Sequence, residues 1–326
     1  MFNLRQRFQS LKFKLKSKYA SPNSGTFHPS TPVIPKNPIN YHKMSVFRQE
    51  NFPQNEPKSW LDRPDATELV NELVAKNELT PSVAELCHKW IEDGYIIFEG
   101  MFDGDTLDSA WAEYEKAIAD GKISPEPNCA VNGLPGRNLN THLQVPKIAA
   151  LLGDRRITDT ISMLLGAKCL PFQTITGHNG SQQLEHSDAI HMTTYPMDYL
   201  AATWTAFEDI HPDSGPLVYY PKSHRLPHFL SQEAQISTDE FKQRGYDIYH
   251  EKYEPGLQKI IQSHQLEAKY FYAKKGDVLF WHSNLIHGGS PRKDMQHSRN
   301  ALVCHYFAEG CICYHDLASC LSVVHG

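Results

Sequence analysis

The spacing of apolar positions changes near residue 168 and divides the chain into a helical part and a strand-rich part. Before that point apolar residues recur three and four positions apart, as on one face of a helix. This pattern predicts helices and one short strand over 65–77, 81–93, 95–98 (the strand), 107–118 and 154–165. Thr80 is suited to cap the second helix, Pro81 to begin it and Gly94 to end it.

After Gly166 the pattern consists of short apolar runs rich in β-branched and aromatic residues, with turn-forming residues between them. These runs predict strands over 170–177, 184–195, 200–209, 216–220, 269–273, 277–286 and 300–308. Helices followed by many short strands predict a mainly β fold with flanking helices, built on a barrel or jelly roll. Residues 228–266 interrupt the strands with a polar, Gln-rich and helical segment, which is a candidate lid.

The N-terminal segment is basic and then proline-rich. The first 49 residues contain no Asp or Glu, and apolar residues within 1–19 fall at helical spacing. One interpretation is an amphipathic helix that gives weak membrane-surface contact or organelle targeting; the other is a solvated tail. Residues 21–57 hold seven prolines, which predicts a linker or a segment draped over the domain.

Composition and charge narrow the class of protein. A net charge of -5 argues against nucleic acid as a partner, and no apolar run is long enough to span a bilayer. Seven cysteines without a secretion signal predict reduced thiols and a cytoplasmic location, with organelle targeting by the basic N-terminus left open. The group Cys311, Cys313, His315 and Cys320 allows a zinc site, against the simpler interpretation of an ordinary strand.

His186 and Asp188 form the most informative motif in the sequence. Two residues apart on an extended strand, they would point to the same face. With a second histidine from a neighbouring strand, they would form the two-histidine, one-carboxylate site typical of non-haem Fe(II) oxygenases. The motif is short, and an ordinary hydrogen-bonded pair is its other interpretation.

A later histidine and arginine strengthen the metal interpretation. His287 ends the apolar run 277–287, whereas the rival ligand His282 would face the opposite side of an unbroken strand. Arg299 opens the next apolar run, and if that strand pairs antiparallel with 277–287, its guanidinium lies near His287. There it could hold a carboxylate through two parallel hydrogen bonds. Arg292, in a predicted turn, is the alternative.

Together with the segments 180–188, 203–209 and 215–224, these features resemble the phytanoyl-CoA dioxygenase (PhyH-like) family of Fe(II)/2-oxoglutarate oxygenases. The resemblance covers about residues 79–307 and implies a double-stranded β-helix of the jelly-roll or cupin-like type. It also implies the following site residues: His186, Asp188 and His287 as catalytic ligands of iron, Arg299 and Ser290 at the distal carboxylate of 2-oxoglutarate, and Trp204 and Gln173 lining the co-substrate pocket.

The same resemblance gives the predicted domains: a tail or linker over 1–58 and a dioxygenase domain over 59–326. Within this domain we expect a helical buttress at 59–168 and a β-helix core at 169–309 that contains the insertion. The implied activity uses Fe(II), 2-oxoglutarate and O2 to hydroxylate a small or medium organic substrate, such as a lipid or acyl thioester, with release of succinate and CO2.

Two other functions fit parts of the sequence. One is a metal-binding β-barrel without catalysis, although such a module has no need for Arg299. The other is a cupin-like zinc or manganese hydrolase or isomerase, which would use a third histidine near His186; His191 is the candidate. The sequence predicts neither the substrate nor the oligomeric state.

Overall fold

The predicted helices are present and pack on one face of a large sheet. The computed structural model describes residues 44–53, 58–124 and 136–322. Its first helices are α1 (Ala66–Ala75), α2 (Pro81–Asp93), α3 (Gly104–Ala119), α4 (Pro146–Leu152) and α5 (Arg155–Leu165). Thr80 Oγ1 accepts from the Val83 amide, and Gly94 ends α2 at φ 75°, as predicted. The pattern did not predict α4, which is only seven residues long.

The described residues contain twelve strands. They are β1 (Tyr95–Phe98), β2 (Asn138–Leu139), β3 (Cys169–Gly177), β4 (Thr193–Tyr195), β5 (Leu200–Ala206), β6 (Leu217–Tyr219), β7 (Lys269–Phe271), β8 (Val278–His282), β9 (His287–Gly289), β10 (Ala301–Ala308), β11 (Ile312–His315) and β12 (Cys320–Leu321). The large sheet has the order β1-β8-β5-β10-β3-β2, and every pair in it is antiparallel.

A small sheet of order β7-β6-β9 faces the large one. Apolar side chains from both sheets form one cluster, in which Trp204 and Leu279 of the large sheet join Leu217 and Tyr219 of the small one. The helices cover the other face of the large sheet, where Trp90 shares a cluster with sheet residues. Two facing antiparallel sheets flanked by helices confirm the predicted mainly β, jelly-roll architecture.

Two predicted strands are divided in the structure. The run 277–286 ends as β8 at His282, turns through Ser283 and Asn284, and resumes as β9 in the other sheet. The Asn284 side chain stabilises this turn by donating to the carbonyl oxygens of His224 and Leu226. The run 184–195 is likewise interrupted, because a 3₁₀ turn over Asp188–Ile190 precedes β4.

The pairing expected for the Arg299 strand is also wrong. The strand β10 lies between β3 and β5, so β5 separates it from β8. The expectation assumed that consecutive strands pair, but strands of a jelly roll alternate between two sheets.

The insertion 228–266 is helical, as predicted. It contains α6 (Thr238–Arg244), a short helical turn (Tyr246–Ile248), a π-helical turn (Tyr249–Tyr253) and α7 (Glu254–Ser263). Its apolar side chains pack in one cluster with Ile190, next to the predicted metal motif, and with Ile286. The insertion therefore lies directly beside the motif that carries His186 and Asp188.

Part of the proline-rich segment is draped over the domain. Phe47 and Phe52 are buried in a cluster with Tyr195 and Tyr314, and the Arg48 guanidinium donates to the Ile236 carbonyl oxygen at 3.0 Å. The predicted basic amphipathic helix falls outside the described residues. Across the stretches that the structure does describe, no helix has the length and apolar character needed to cross a membrane.

Candidate metal centre

Three predicted ligands converge at one point between the two sheets. Each of His186, Asp188 and His287 offers one ligand atom, and these three atoms lie within 4.8 Å of one another. All three residues are buried. Among residues 44–53, 58–124 and 136–322, this is the one group of three or more His, Cys, Asp and Glu side chains with such spacing. Two imidazoles and one carboxylate on one side of a site are the donor set of non-haem Fe(II) centres.

Backbone pairing fixes how the two histidines meet. His186 and His287 form an antiparallel bridge: the His186 amide donates to the His287 carbonyl at 2.8 Å, and the reverse bond measures 2.9 Å. Ser187 is extended, and the chain then enters the 3₁₀ turn at Asp188. The expectation of one continuous strand was therefore wrong at Asp188, but the extended step through Ser187 still brings both side chains to the site.

The orientation of each imidazole leaves one ring nitrogen available to a metal. His186 Nδ1 lies 2.9 Å from the Leu184 carbonyl oxygen, and His287 Nδ1 lies 2.9 Å from the Leu285 carbonyl oxygen. A carbonyl can only accept, so each Nδ1 carries the proton and each Nε2 presents its lone pair. Hydrogen bonds of this kind typically fix the tautomer and the ring orientation of metal-binding histidines.

Asp188 is held from the interior of the large sheet. Trp281 Nε1 donates to Asp188 Oδ2 at 2.8 Å, and His305 Nε2 lies 3.7 Å from the same oxygen. The other carboxylate oxygen, Oδ1, lies 3.6 Å from His287 Nε2. One oxygen is thus contacted by protein groups from behind, while the other faces the histidine ligands.

Electrostatics favour the protonation states that a metal requires. Burial, reinforced by the nearby His287, lowers the pKa of His186 to about 3. Burial alone would raise the pKa of Asp188, but His287, His305 and His186 outweigh it and hold the pKa well below its usual range. At neutral pH the site therefore contains a neutral His186 and an ionised Asp188, which are metal-binding forms.

Arg299 is a buried cation with unused hydrogen-bonding capacity. Its Nη1 donates to the Gly215 carbonyl oxygen at 2.8 Å, while Nε is buried and has no partner among the described residues. No carboxylate of those residues lies within ion-pair distance of it. Burial and the nearby Arg292 lower its pKa to about 10, so it remains charged at neutral pH. A buried guanidinium in this state is suited to bind a carboxylate.

The other residues predicted to bind the co-substrate also lie inside the protein, but they differ in their hydrogen-bond partners. Trp204 is buried on β5, with its ring 5.9 Å from the Arg299 guanidinium carbon. Gln173 lies on β3, and its Oε1 is buried without a hydrogen-bond partner among the described residues. Ser290 Oγ donates to the Pro216 carbonyl oxygen at 2.7 Å, so its hydroxyl hydrogen is already used.

Three residues beside the ligands were missed from the sequence. Trp281 and His305 both reach Asp188, although their positions within apolar runs indicated only core packing. The signal was the alternation along β10, because His305 is an even number of residues from Arg299, which lies two residues before the strand begins. Tyr253 was missed as well; its hydroxyl oxygen accepts from the Ser187 amide at 3.2 Å.

Several alternative ligands lie elsewhere. His282 forms ion pairs with Asp62 and Asp198, away from the ligand group. Arg292 donates through Nη2 to the carbonyl oxygens of Met295 and His297 in its own loop, while its Nε and Nη1 are buried without a partner among the described residues. The His191 ring lies 5.5 Å from the His186 ring, but its nitrogens do not belong to the ligand group.

The proposed cysteine-rich zinc site is not formed by the described residues. Cys313 lies within the strand β11 and Cys311 just before it; both are buried, and burial raises the pKa of both thiols. Because their sulfurs do not gather with His315 and Cys320 into a ligand group, the ordinary-strand interpretation holds for this region.

Fold and site together define a class of protein: a jelly-roll with one buried two-histidine, one-carboxylate centre. The family follows from comparison with known sequences. A family model described as phytanoyl-CoA dioxygenase (PhyH) matches residues 90–301. The chain belongs to this dioxygenase family, which confirms the resemblance found in the sequence.

Individual relatives share only about a quarter of their residues with this chain over the matched regions. The chain is 23% identical to the peroxisomal phytanoyl-CoA dioxygenase of Rattus norvegicus over 244 residues, which cover 68% of this chain and 67% of that protein. The matches to the mouse and human proteins of the same name span only 37% and 36% of those proteins. Identity to the ectoine dioxygenase of Bordetella parapertussis is 25% over 220 residues, covering 64% of this chain and 70% of that protein.

A solved structure supports the fold. The crystal structure of EctD from S. alaskensis with 2-oxoglutarate and 5-hydroxyectoine superposes with a TM-score of 0.54 at 20% identity. The match covers 69% of this chain and 76% of that one. At this level of identity the likeness establishes the shared fold.

Proposed function

We propose that this protein is an Fe(II)- and 2-oxoglutarate-dependent dioxygenase that hydroxylates a small or medium organic substrate and releases succinate and CO2. The observation that carries the proposal is the combination of the buried triad with a buried Arg299 that lacks a carboxylate partner among the described residues. The triad would bind a metal, and the arginine would bind an anionic co-substrate.

The donor set fits Fe(II). His186 and His287 would bind through Nε2 and Asp188 through one oxygen, which leaves the opposite side of the ion open to exchangeable ligands. When bound, iron with 2-oxoglutarate supplies the oxidising chemistry that couples O2 to decarboxylation and to oxidation of a C–H bond. The chain's own residues fix the ligand geometry and keep the histidine tautomers suited to binding.

Arg299 would bind and orient 2-oxoglutarate. Its charge is retained at neutral pH and its Nε lacks a partner, so a carboxylate entering the barrel would satisfy a buried donor. Trp204 beside it would form an apolar wall and help exclude water, and Gln173 and Ser290 are further candidates at this pocket. A non-catalytic metal module would have no use for such a cation.

The substrate would enter on the side covered by the insertion. The His191 ring contacts Tyr246 and Tyr249 of the insertion at 5.9 and 5.2 Å, and it lies next to the His186 ring. The insertion is therefore the candidate wall and lid of the substrate pocket. The named relatives comprise phytanoyl-CoA and ectoine dioxygenases, so an acyl thioester and a small polar compound are both candidate substrates.

Spectroscopy under anaerobic conditions tests the proposal directly. Fe(II) and 2-oxoglutarate added to the protein should give a visible metal-to-ligand charge-transfer band, and admission of O2 should then yield succinate. His287→Ala should abolish both signals, and Arg299→Ala should require far more 2-oxoglutarate. His297→Ala, at a more exposed histidine outside the site, is the matched control and should behave as the wild type.

The alternatives predict different results. Metal bound without the band and without succinate would support the non-catalytic module and overturn the proposal. A hydrolase or isomerase would turn over without 2-oxoglutarate. The described residues do not add His191 to the ligand group, which weighs against a three-histidine site.

A further inference from the structure

Four residues form one row across the interior of the large sheet. Gln173 on β3 pairs with His305 on β10, His305 pairs with Ala202 on β5, and Ala202 pairs with Trp281 on β8. Residues directly opposite one another in adjacent strands point to the same face of a sheet. All four side chains therefore point the same way, and Trp281 shows that this face is the one toward Asp188.

The small residue in this row makes room for the ligand carboxylate. Ala202 stands between His305 and Trp281, so a recess separates the two larger side chains. Asp188 Oδ2 reaches both of them, at 2.8 Å from Trp281 Nε1 and 3.7 Å from His305 Nε2. Two nitrogens from different strands thus approach the same carboxylate oxygen, while Oδ1 lies on the side of His287.

His305 makes no other polar interaction that would explain its burial. It is 2% exposed, and its Nδ1 is buried without a hydrogen-bond partner among the described residues. A buried polar atom without a partner costs about 1–3 kcal/mol, so an imidazole serving only as filler is unfavourable here. Its other nitrogen, Nε2, faces the Asp188 carboxylate at 3.7 Å.

We propose that His305 is a positioning residue for the metal centre. Together with Trp281 it holds Asp188 Oδ2 away from the ion, so that the carboxylate binds through Oδ1 alone. This inference rests on the proposed metal site. Binding through one oxygen would matter for the reaction, because a carboxylate that bound through both oxygens would occupy one of the metal coordination positions needed by the co-substrate and O2.

Cobalt substitution tests the proposal without turnover. Co(II) added to the apoprotein should bind at the triad, and the intensity of its visible d–d absorption reports the coordination number. His305→Phe keeps a ring of similar shape but cannot donate. We expect it to weaken Co(II) binding about 10- to 100-fold, the usual effect of losing a partner of a metal ligand, and to change the d–d intensity. His305→Asn, which retains a donor, should restore much of both.

A matched control separates positioning from stability. Tyr306 is the next residue on β10, is buried, and donates to the Leu152 carbonyl oxygen away from the site. Tyr306→Phe should lower the melting temperature but leave the Co(II) affinity and spectrum unchanged. If the His305→Phe protein does not fold, Trp281→Phe removes the indole N–H that donates to the same oxygen and should shift the spectrum in the same direction.

The outcomes distinguish this proposal from the proposed function. Wild-type Co(II) affinity and spectrum in a folded His305→Phe protein, or an unchanged spectrum in Trp281→Phe, would overturn the positioning role. A wild-type protein that binds Co(II) but never forms succinate would contradict the dioxygenase proposal and leave this one standing. Failure of the wild-type protein to bind Co(II) at the triad would overturn both.

Discussion

Two groups of histidines and carboxylates, one buried and one partly buried, lie on opposite sides of β8. The metal cluster consists of His186, Asp188 and His287, and Trp281 of β8 contacts it. The ion-pair cluster consists of Asp62, Asp198, His228 and His282. In it His282 Nε2 lies 3.3 Å from Asp62 Oδ1 and 3.9 Å from Asp198 Oδ1, and His228 Nε2 lies 2.8 Å from Asp198 Oδ1.

The difference lies in which ring nitrogen has a protein partner. In the ion-pair cluster each Nε2 faces a carboxylate. In the metal cluster each Nδ1 donates to a backbone carbonyl oxygen, and the Nε2 lone pairs of His186 and His287 point toward the same site. The histidine nitrogens of the metal cluster thus converge on one point, whereas those of the ion-pair cluster face the carboxylates of Asp62 and Asp198.

The directions of the pKa shifts agree with this distinction. Burial lowers the pKa of His186 to about 3, which favours the neutral imidazole. Burial also opposes protonation of His282, but Asp62 and Asp198 outweigh it and raise the pKa of His282. The same residue type is thus prepared for a metal at one site and for an ion pair at the other.

The largest expected effect is a difference between the two histidines of 277–287, since replacing one should remove metal binding and replacing the other should lower the stability. His287→Ala should abolish metal binding and succinate formation while the protein still folds. His282→Ala should leave Asp62 without its buried partner and destabilise the fold by about 3–5 kcal/mol, with metal binding retained. Metal content and urea denaturation check both results. Loss of metal from a folded His282→Ala protein would show that the two clusters are not separate.

The second prediction concerns the pH dependence of the ion-pair cluster. Burial would raise the pKa of Asp198, but His228 and His282 outweigh it and lower the pKa well below the usual range. Asp198 therefore adds stability above its unfolded pKa of about 3.9, and this is lost as the pH falls. His282, with its raised pKa, adds stability below about pH 6.5, and this is lost as the pH rises.

Asp198→Asn should thus be most destabilising between about pH 4 and 6.5, by about 3 kcal/mol. Asparagine tolerates the positive φ of 69° at this position, so the change tests charge rather than backbone strain. Urea unfolding of both proteins from acid to alkaline pH measures the difference. A difference independent of pH would mean that the cluster is held by hydrogen bonds and not by charge.

The contrast between the clusters also shows what the sequence could predict. Periodicity located the helices well, since Thr80 and Gly94 act through local bonds that the sequence shows directly. It could not place Asp188 in a 3₁₀ turn or divide 277–286 between two sheets, because those features depend on tertiary packing. The structure groups His287, and not His282, with His186 and Asp188, although the unbroken strand assumed in that prediction is absent.

Residues with two plausible roles were the hardest to predict. His305 and Trp281 lie in apolar runs, and only the strand register shows that they face Asp188. His282 stands in a sequence context similar to that of His287, yet its partners come from residues 84 and 220 positions away in the chain. Long-range pairing of this kind leaves no local signal in a single sequence.

The third prediction compares two buried arginines. Arg299→Gln should weaken 2-oxoglutarate binding by about 1.5–3 kcal/mol, or roughly 10- to 150-fold, because a charged hydrogen bond is lost. Arg292→Gln should have a smaller effect, because two carbonyl oxygens of its own loop hold its Nη2 in place, although its Nε and Nη1 are buried without a partner among the described residues. Titration of the charge-transfer band gives both dissociation constants. The reverse ranking would assign the co-substrate to Arg292.

The smallest effect is expected at Ser290, because its hydroxyl already has a hydrogen-bond partner within the protein. Its hydroxyl donates to the Pro216 carbonyl oxygen, so only its lone pairs remain, and these cannot donate to a carboxylate. Ser290→Ala should therefore lower the free energy of unfolding by about 1 kcal/mol while changing the 2-oxoglutarate dissociation constant far less than Arg299→Gln does. A change as large as that of Arg299→Gln would mean that the hydroxyl leaves Pro216 when the co-substrate binds. Internal hydrogen-bond partners would then be a poor guide to which polar atoms serve the site.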